Sequence, residues 1–389
     1  MPRVREGNIR VGINARFLSS PRLEGFGRYT LEVTRRLVRD HPEAEFVLFF
    51  DRPIDPEYRF AENVTPVVLR PPAGHPLLTL IWFEFNLAPA LLRHRIDVLL
   101  SPDGALPLRR GGPPSVPVIH DLGFEHFSEH LGFADRWYWR LVVRAAARRA
   151  ARIVTISEFT KGDLVATYGV PAARIDVAPN GVEEGLGPLS ADERRLVRDE
   201  LTGGEPYFLH VGAIQPRKNV ATLLRAFDRF KERSGCGTKL LLSGRMAWKY
   251  RDVERAHAAM RHGADVRFLG YMPRPALARI LASALGLVCV SHYEGFALPV
   301  AEAMACGVPV IGADRAAIPE VAGDAAVLVD PGDVGAIAAA MVELAGDSTR
   351  WDDLAARGLA RAHRFDWNLT AAGVWRALMA AAPGGSERP

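Results

Sequence analysis

The chain has 389 residues, enough for two domains of ordinary size. Hydrophobic residues make up 48% and charged residues 24%, a balance that excludes wholesale disorder. The net charge of +4 is carried largely by arginine and favours phosphate or another anionic partner without naming one. No zinc-ligand spacing or base-stacking motif accompanies it, so a nucleic-acid partner is not expected. Cys236, Cys289 and Cys306 form no CxxC pair, which argues against a disulfide framework or a structural zinc. The amino terminus lacks the apolar core of a signal peptide. The most apolar early stretch, Leu77 to Leu92, is broken by Glu84, Asn86 and Pro89 and is too polar to span a bilayer. These features predict a cytoplasmic α/β protein.

In chain order, Arg10–Asn14 reads as a strand and 27–39 as a helix, preceded by the glycine-containing GFGRYT stretch with Gly25, Gly27 and Arg28. Glycines there let a backbone approach a phosphate or sugar, although a plain helix-start turn explains them equally well. Further strands are expected at 45–50, 65–69, 98–100, 116–119 and 152–156. His120 and Asp121 follow the fourth of these runs and so project from a strand end. A histidine there is commonly structural. Arg136, Arg140, Arg144, Arg148 and Arg152 recur every four residues over 134–152, with Arg149, Trp137 and Tyr138 nearby. Such a stripe is ordinarily a solvated face, but it also suits peripheral contact with an anionic membrane. Ser157 is read as a helix cap.

Val177 to Val182 contains Pro179 and Asn180-Gly181 and marks a turn. The pattern then restarts with strands at 207–212, 239–243, 266–269, 287–291, 308–312 and 326–329. Helices are expected at 220–233, 275–284 and 299–306, and a last one over 370–381. Short apolar runs alternating with helices predict two doubly wound parallel sheets, each with both faces covered. The domain boundary is placed at 180, giving domains 1–180 and 181–369. An interdomain cleft would be the natural ligand site.

Two stretches of the second half carry chemistry. Gly212 follows the first strand, and Arg217 and Lys218 stand just before a helix, where adjacent cations can clamp a diphosphate. After the strand ending near Ser291 comes Tyr293-Glu294-Gly295-Phe296-Ala297-Leu298-Pro299, with Pro299 at a helix start and Glu302 on its first turn. Glu294 thus lies at the carboxyl edge of a strand, and the helix start brings N–H groups with positive partial charge to that edge.

A glutamate, seven residues and a second glutamate, within YEGFALPVAEAMACGVPV, resembles the retaining nucleotide-sugar glycosyltransferases with the GT-B fold (family 4, group 1), in particular bacterial mannosyltransferases. The resemblance continues through Pro319-Glu320-Val321 to Asp330-Pro331 and departs at Ala297, where many members have glycine. It implies GT-B architecture, with an acceptor-binding first domain, a donor-binding second domain and the tail 370–389 crossing back to the first. It implies that Glu294 binds sugar hydroxyls beside the reacting carbon and that Glu302 grips the ribose. Arg217 and Lys218 would hold the diphosphate, with Gly212 and the Gly295–Leu298 backbone around the donor. His120 would contact the transferred sugar, and Gly25, Gly27, Arg28 and Asp121 would face phosphate or acceptor, Asp121 either orienting the His120 imidazole or binding acceptor. No metal or other cofactor is expected, and the sequence has no Asp-x-Asp. The expected reaction moves a hexose, foremost mannose from GDP-mannose, onto a glycan or lipid-linked acceptor in polysaccharide or glycolipid synthesis. Rhamnosyl or glucosyl transfer, a nucleotide-sugar epimerase on the same fold, and a non-catalytic binding protein are the alternatives.

Overall fold

A computed structural model describes residues 8–19, 23, 25–109, 111–127, 132–247 and 250–384. The chain divides into two compact units, Met1–Gly181 with Asp366–Pro389, and Val182–Phe365.

The first unit is built on seven parallel strands, β1 (Arg10–Asn14), β2 (Glu45–Phe50), β3 (Val64–Val68), β4 (Val98–Ser101), β5 (Ser115–Ile119), β6 (Ile153–Thr155) and β7 (Ile175–Val177). Their order is β3-β2-β1-β4-β5-β6-β7. β2, sequence EFVLFF, is buried at every position after the first, as a central parallel strand with helices on both faces must be. Helix Trp367–Ala381, capped by the Asp366 side chain, packs against helix Gly25–Asp40. Arg36 and Arg39 donate to Asn368 Oδ1 at 3.1 and 2.9 Å. A Cβ on Gly181 would lie 2.3 Å from the Trp367 nitrogen, so only glycine lets the outgoing chain pass the returning one.

The second unit has six parallel strands, β8 (Tyr207–Val211), β9 (Lys239–Ser243), β10 (Val266–Gly270), β11 (Gly286–Cys289), β12 (Val310–Ala313) and β13 (Ala326–Val329). Their order is β10-β9-β8-β11-β12-β13. Helix Val220–Ser234 buries Leu223, Leu224, Phe227 and Phe230 on one stripe against Phe208 and Leu240. In each sheet successive strands run outward to one side and then to the other, so the order reverses between β1 and β4, and between β8 and β11. Two doubly wound parallel sheets are therefore present, as the alternation of short apolar runs predicts.

The differences are local. Most predicted elements match their observed bounds within about two residues, the ordinary uncertainty of helix and strand ends. β7 is only three residues long and sits inside the stretch read as a turn. Residues 76–93, which cover the apolar stretch too polar to span a bilayer, form a helix with a π turn at Trp82–Leu87. No helix among the described residues is long and apolar enough to cross a membrane.

Candidate functional site

The predicted motif residues of the second unit meet at its switch point. β8 ends at Val211, and Gly212 turns the chain with φ +147°, a value L side chains rarely adopt. A Cβ there would lie 3.2 Å from Lys218 Cε, so glycine also lets the lysine stem lie across the turn. The loop ends in the short helix Pro216–Lys218 and Asn219, whose φ of 58° is left-handed. Asn219 Nδ2 donates to the Val290 and Pro331 carbonyls at 3.1 and 2.7 Å. The His292 amide donates to the Arg217 carbonyl at 2.9 Å. These bonds fasten the β8 loop to the β11 loop and bring the two cations beside Glu294.

Glu294 is almost fully buried, and both its oxygens are engaged. Lys218 Nζ donates to Oε1 at 2.5 Å and Arg217 to Oε2 at 3.2 Å. Arg217 also donates to the Tyr293 carbonyl. Burial alone would raise the pKa of the Glu294 carboxyl, but Lys218 and Arg217 outweigh it and hold it at about 2. Two cations against one carboxylate leave one formal positive charge on the cluster. Beneath it His210 is buried, with Nδ1 3.2 Å from the Val288 carbonyl; burial and then Lys218 push its pKa down to about 4, so it is neutral at pH 7.

The helix expected at 299–306 runs over Leu298–Ala305, with Pro299 in its first turn and no side chain capping its start. Pro299 has no N–H and the Val300 amide donates to the Ala297 carbonyl at 2.9 Å, which leaves the Leu298 amide at the helix start. Ala297 takes the N-cap place at φ +65°, ψ +56°. Ala297, the point at which the motif departs from the family pattern, is thus held in left-handed backbone. Gly295 lies in the same loop, and Leu298 is half-buried. The Phe296 ring is buried edge-on against Phe365 at 5.4 Å, so only its backbone is available to a ligand.

Glu302 is the fifth residue of that helix, one residue deeper than expected, and is 3% exposed. Its Oε1 accepts from Arg274 at 2.5 Å, and Arg274 also donates to Glu183 Oε2 through Nε at 2.9 Å and Nη2 at 2.6 Å. Neither Arg274 nor Glu183 stands in a motif, and sequence reading misses both. The signal available was a lone arginine straight after Pro273, at the first position of a helix where acids are favoured.

In the first unit, Gly25 and Gly27 do not precede the helix but form its first turn, because helix Gly25–Asp40 starts two residues early. Gly27 is buried, and a Cβ there would meet the Phe17 carbonyl at 3.0 Å, so this glycine serves packing. Arg28 is half-buried on the same turn. His120 stands between the rings of Phe26 and Tyr29, each 4.8 Å away, and burial lowers its pKa. Its Nε2 lies 2.8 Å from the Pro102 carbonyl, which orients the ring. Asp121 accepts the Gly123 amide at 2.8 Å, an Asx turn, and of its two suggested roles the structure gives imidazole orientation to Pro102 instead.

The basic stripe is shorter than its spacing suggests. Helix Phe133–Arg149 ends before Arg152, which pairs with Asp176 at 2.6 Å on β7. Arg140 is paired to Glu125 at 2.7 Å, and Tyr138 is buried in the core. Arg144, Arg148 and the 54% exposed Trp137 remain on the outer face, around an open pocket of about 320 Å³. Ser157 caps helix Glu158–Tyr168 by accepting the Thr160 amide, as read.

The family described as glycosyl transferases group 1 matches residues 193–359, and glycosyltransferase family 4 matches 23–185. The O-antigen chain mannosyltransferase B of Escherichia coli is 31% identical over 361 residues, 89% of this chain and 93% of that protein. Among solved structures, the sucrose-phosphate synthase of Thermosynechococcus elongatus superposes with a TM-score of 0.78 at 22% identity, covering 96% of this chain and 100% of the other. HepE of Anabaena, in complex with UDP and glucose, superposes at 0.72 with 17% identity, covering 95% and 99%. At these identities the two structures speak for the fold.

Proposed function

Because this chain belongs to the group 1 glycosyltransferases of bacterial mannosyltransferase type, with the GT-B fold, we propose that its second unit binds a nucleotide-sugar and transfers the hexose with retention, without a metal. The observation that carries this reading is the meeting of Glu294, Arg217 and Lys218 at the switch point between β8 and β11. Ligands of open α/β sheets bind outside the carboxyl ends of the strands at that point. The positive surplus of the cluster and the uncapped helix start at Leu298 both suit a diphosphate. Arg217 and Lys218 then neutralise the charge that develops on the leaving phosphate, a task a divalent metal performs elsewhere. Glu294, held ionised, accepts hydrogen bonds from the sugar hydroxyls, and Glu302 from the ribose.

In the reaction, an acceptor oxygen bonds to the anomeric carbon on the face that the phosphate leaves. The bond from that carbon to the phosphate oxygen breaks, and the acceptor's proton passes to the departing phosphate. His120, neutral and fixed by Pro102, contacts the sugar as charge grows on its ring. Gly25, Arg28 and Asp121 belong to the acceptor side, in the first unit. Mannose from GDP-mannose is the donor we favour, since the relative sharing 31% identity over most of the chain is a mannosyltransferase. The acceptor we favour is a glycan or lipid-linked saccharide of a surface polysaccharide.

The test is transfer of radiolabelled sugar from GDP-mannose, GDP-rhamnose or UDP-glucose to a lipid-linked oligosaccharide. We expect transfer with the anomeric configuration kept and with rates unchanged by EDTA. An inverted product or loss of activity in EDTA contradicts the mechanism. Release of a free epimer would favour the epimerase alternative, and binding without turnover the non-catalytic one.

A further inference from the structure

Arg274 occupies a place that local electrostatics disfavours. It is the first residue of helix Arg274–Ala282, where the helix presents its positive end and no acid lies in the first turn. Its guanidinium is shared by two carboxylates, Glu302 Oε1 at 2.5 Å and Glu183 Oε2 at 2.6 and 2.9 Å. Glu302 is 3% exposed, and its Oε2 carries no hydrogen bond among the described residues. A buried carboxylate without a cation beside it is uncompensated, and nothing then fixes its oxygens toward a ligand.

We propose that Arg274 is a positioning residue for the donor nucleotide: it grips Glu302 by one oxygen and leaves the other to accept from the ribose diol. Glu183 Oε2 accepts from Nε and from the same Nη2 that holds Glu302, which fixes the guanidinium beside Glu302. Arginine suits this role better than lysine because one planar group reaches both partners at once. The inference rests on reading Glu302 as the ribose contact, and the experiment separates the two.

Initial rates are measured for the wild-type chain with the ribonucleotide-sugar and with its 2′,3′-dideoxyribose counterpart. The wild type should show a KM about 10-fold or more higher for the dideoxy donor, with a smaller change in kcat, the size expected for bonds to a charged group. In Arg274→Ala the ribose donor's KM should rise about 10-fold and the ratio between the two donors should fall toward one. Arg274→Lys should keep part of the ratio, and Glu183→Gln most of it. If Arg274→Ala fails to fold by circular dichroism, these two conservative variants read the same ratio. A wild type that discriminates, with variants that keep its full ratio, overturns the role of Arg274. A wild-type ratio near one overturns the ribose contact itself and leaves the diphosphate site untouched.

Discussion

The two sheets reverse direction at equivalent places, between β1 and β4 and between β8 and β11, yet different chemistry fills the two switch points. In the first unit Arg16 meets Asp103 at 2.6 Å, with side chains 8% and 1% exposed. Asp103 Oδ1 also accepts from the Ser101 hydroxyl and the Ala105 amide, both at 3.1 Å, and Asn14 donates to Ser101. One charge answers one charge and both carboxylate oxygens are engaged, so this switch point is a structural plug. In the second unit one carboxylate faces two cations whose side chains are 12% and 20% exposed, leaving a positive surplus near solvent. The same topology thus supports either a closed neutral pair or an anion site. What decides is the count of cations and their access to water.

Removing one carboxylate from each cluster is the sharpest way to break the comparison. Asp103→Ala strands a buried guanidinium, and loss of one partner of such a pair costs about 3–5 kcal/mol. Glu294→Ala leaves two cations that water can reach, so its stability loss should be smaller, while transfer falls about 100-fold or more, as when one transition-state contact is lost. Urea denaturation and initial rates measured on both variants check this. Equal losses of stability would erase the distinction between plug and site.

Much of this arrangement was legible because it is local. Each strand of the second sheet is a short apolar run, and Glu294, Glu302, Arg217 and Lys218 sit at fixed offsets from strand ends, which a parallel sheet gathers on one edge. The pairs that were not legible join distant segments. Arg16 and Asp103, or Arg274 and Glu183, are brought together only by strand order and loop path, and a single sequence does not state these. Helix spacing misled in one place: a four-residue period runs on to Arg152, but the helix ends at Arg149, and Arg152 pairs instead with Asp176 on the neighbouring strand.

Ala297 sharpens the comparison on the smallest scale. Left-handed backbone costs a non-glycine residue about 1 kcal/mol, and Ala297 carries that strain at the start of helix Leu298–Ala305. Ala297→Gly should therefore raise stability by roughly 1 kcal/mol, less the entropy glycine adds to the unfolded chain. The denaturation midpoint should rise with an unchanged slope. A fall in the midpoint would mean that the loop gains more from alanine's restriction than it loses to strain.

The central claim is that the switch point of the second unit holds a nucleoside diphosphate through Arg217 and Lys218. Calorimetric titration with GDP and UDP, on the wild type, Lys218→Ala and Asp103→Asn, tests it most directly. The wild type should bind one of the two. Lys218→Ala should bind it about 10-fold or more weakly, the loss expected of a charge-assisted contact, whereas folded Asp103→Asn should keep wild-type affinity. Equal affinity in wild type and Lys218→Ala, or weakening only in Asp103→Asn, would place the anion elsewhere and contradict the account.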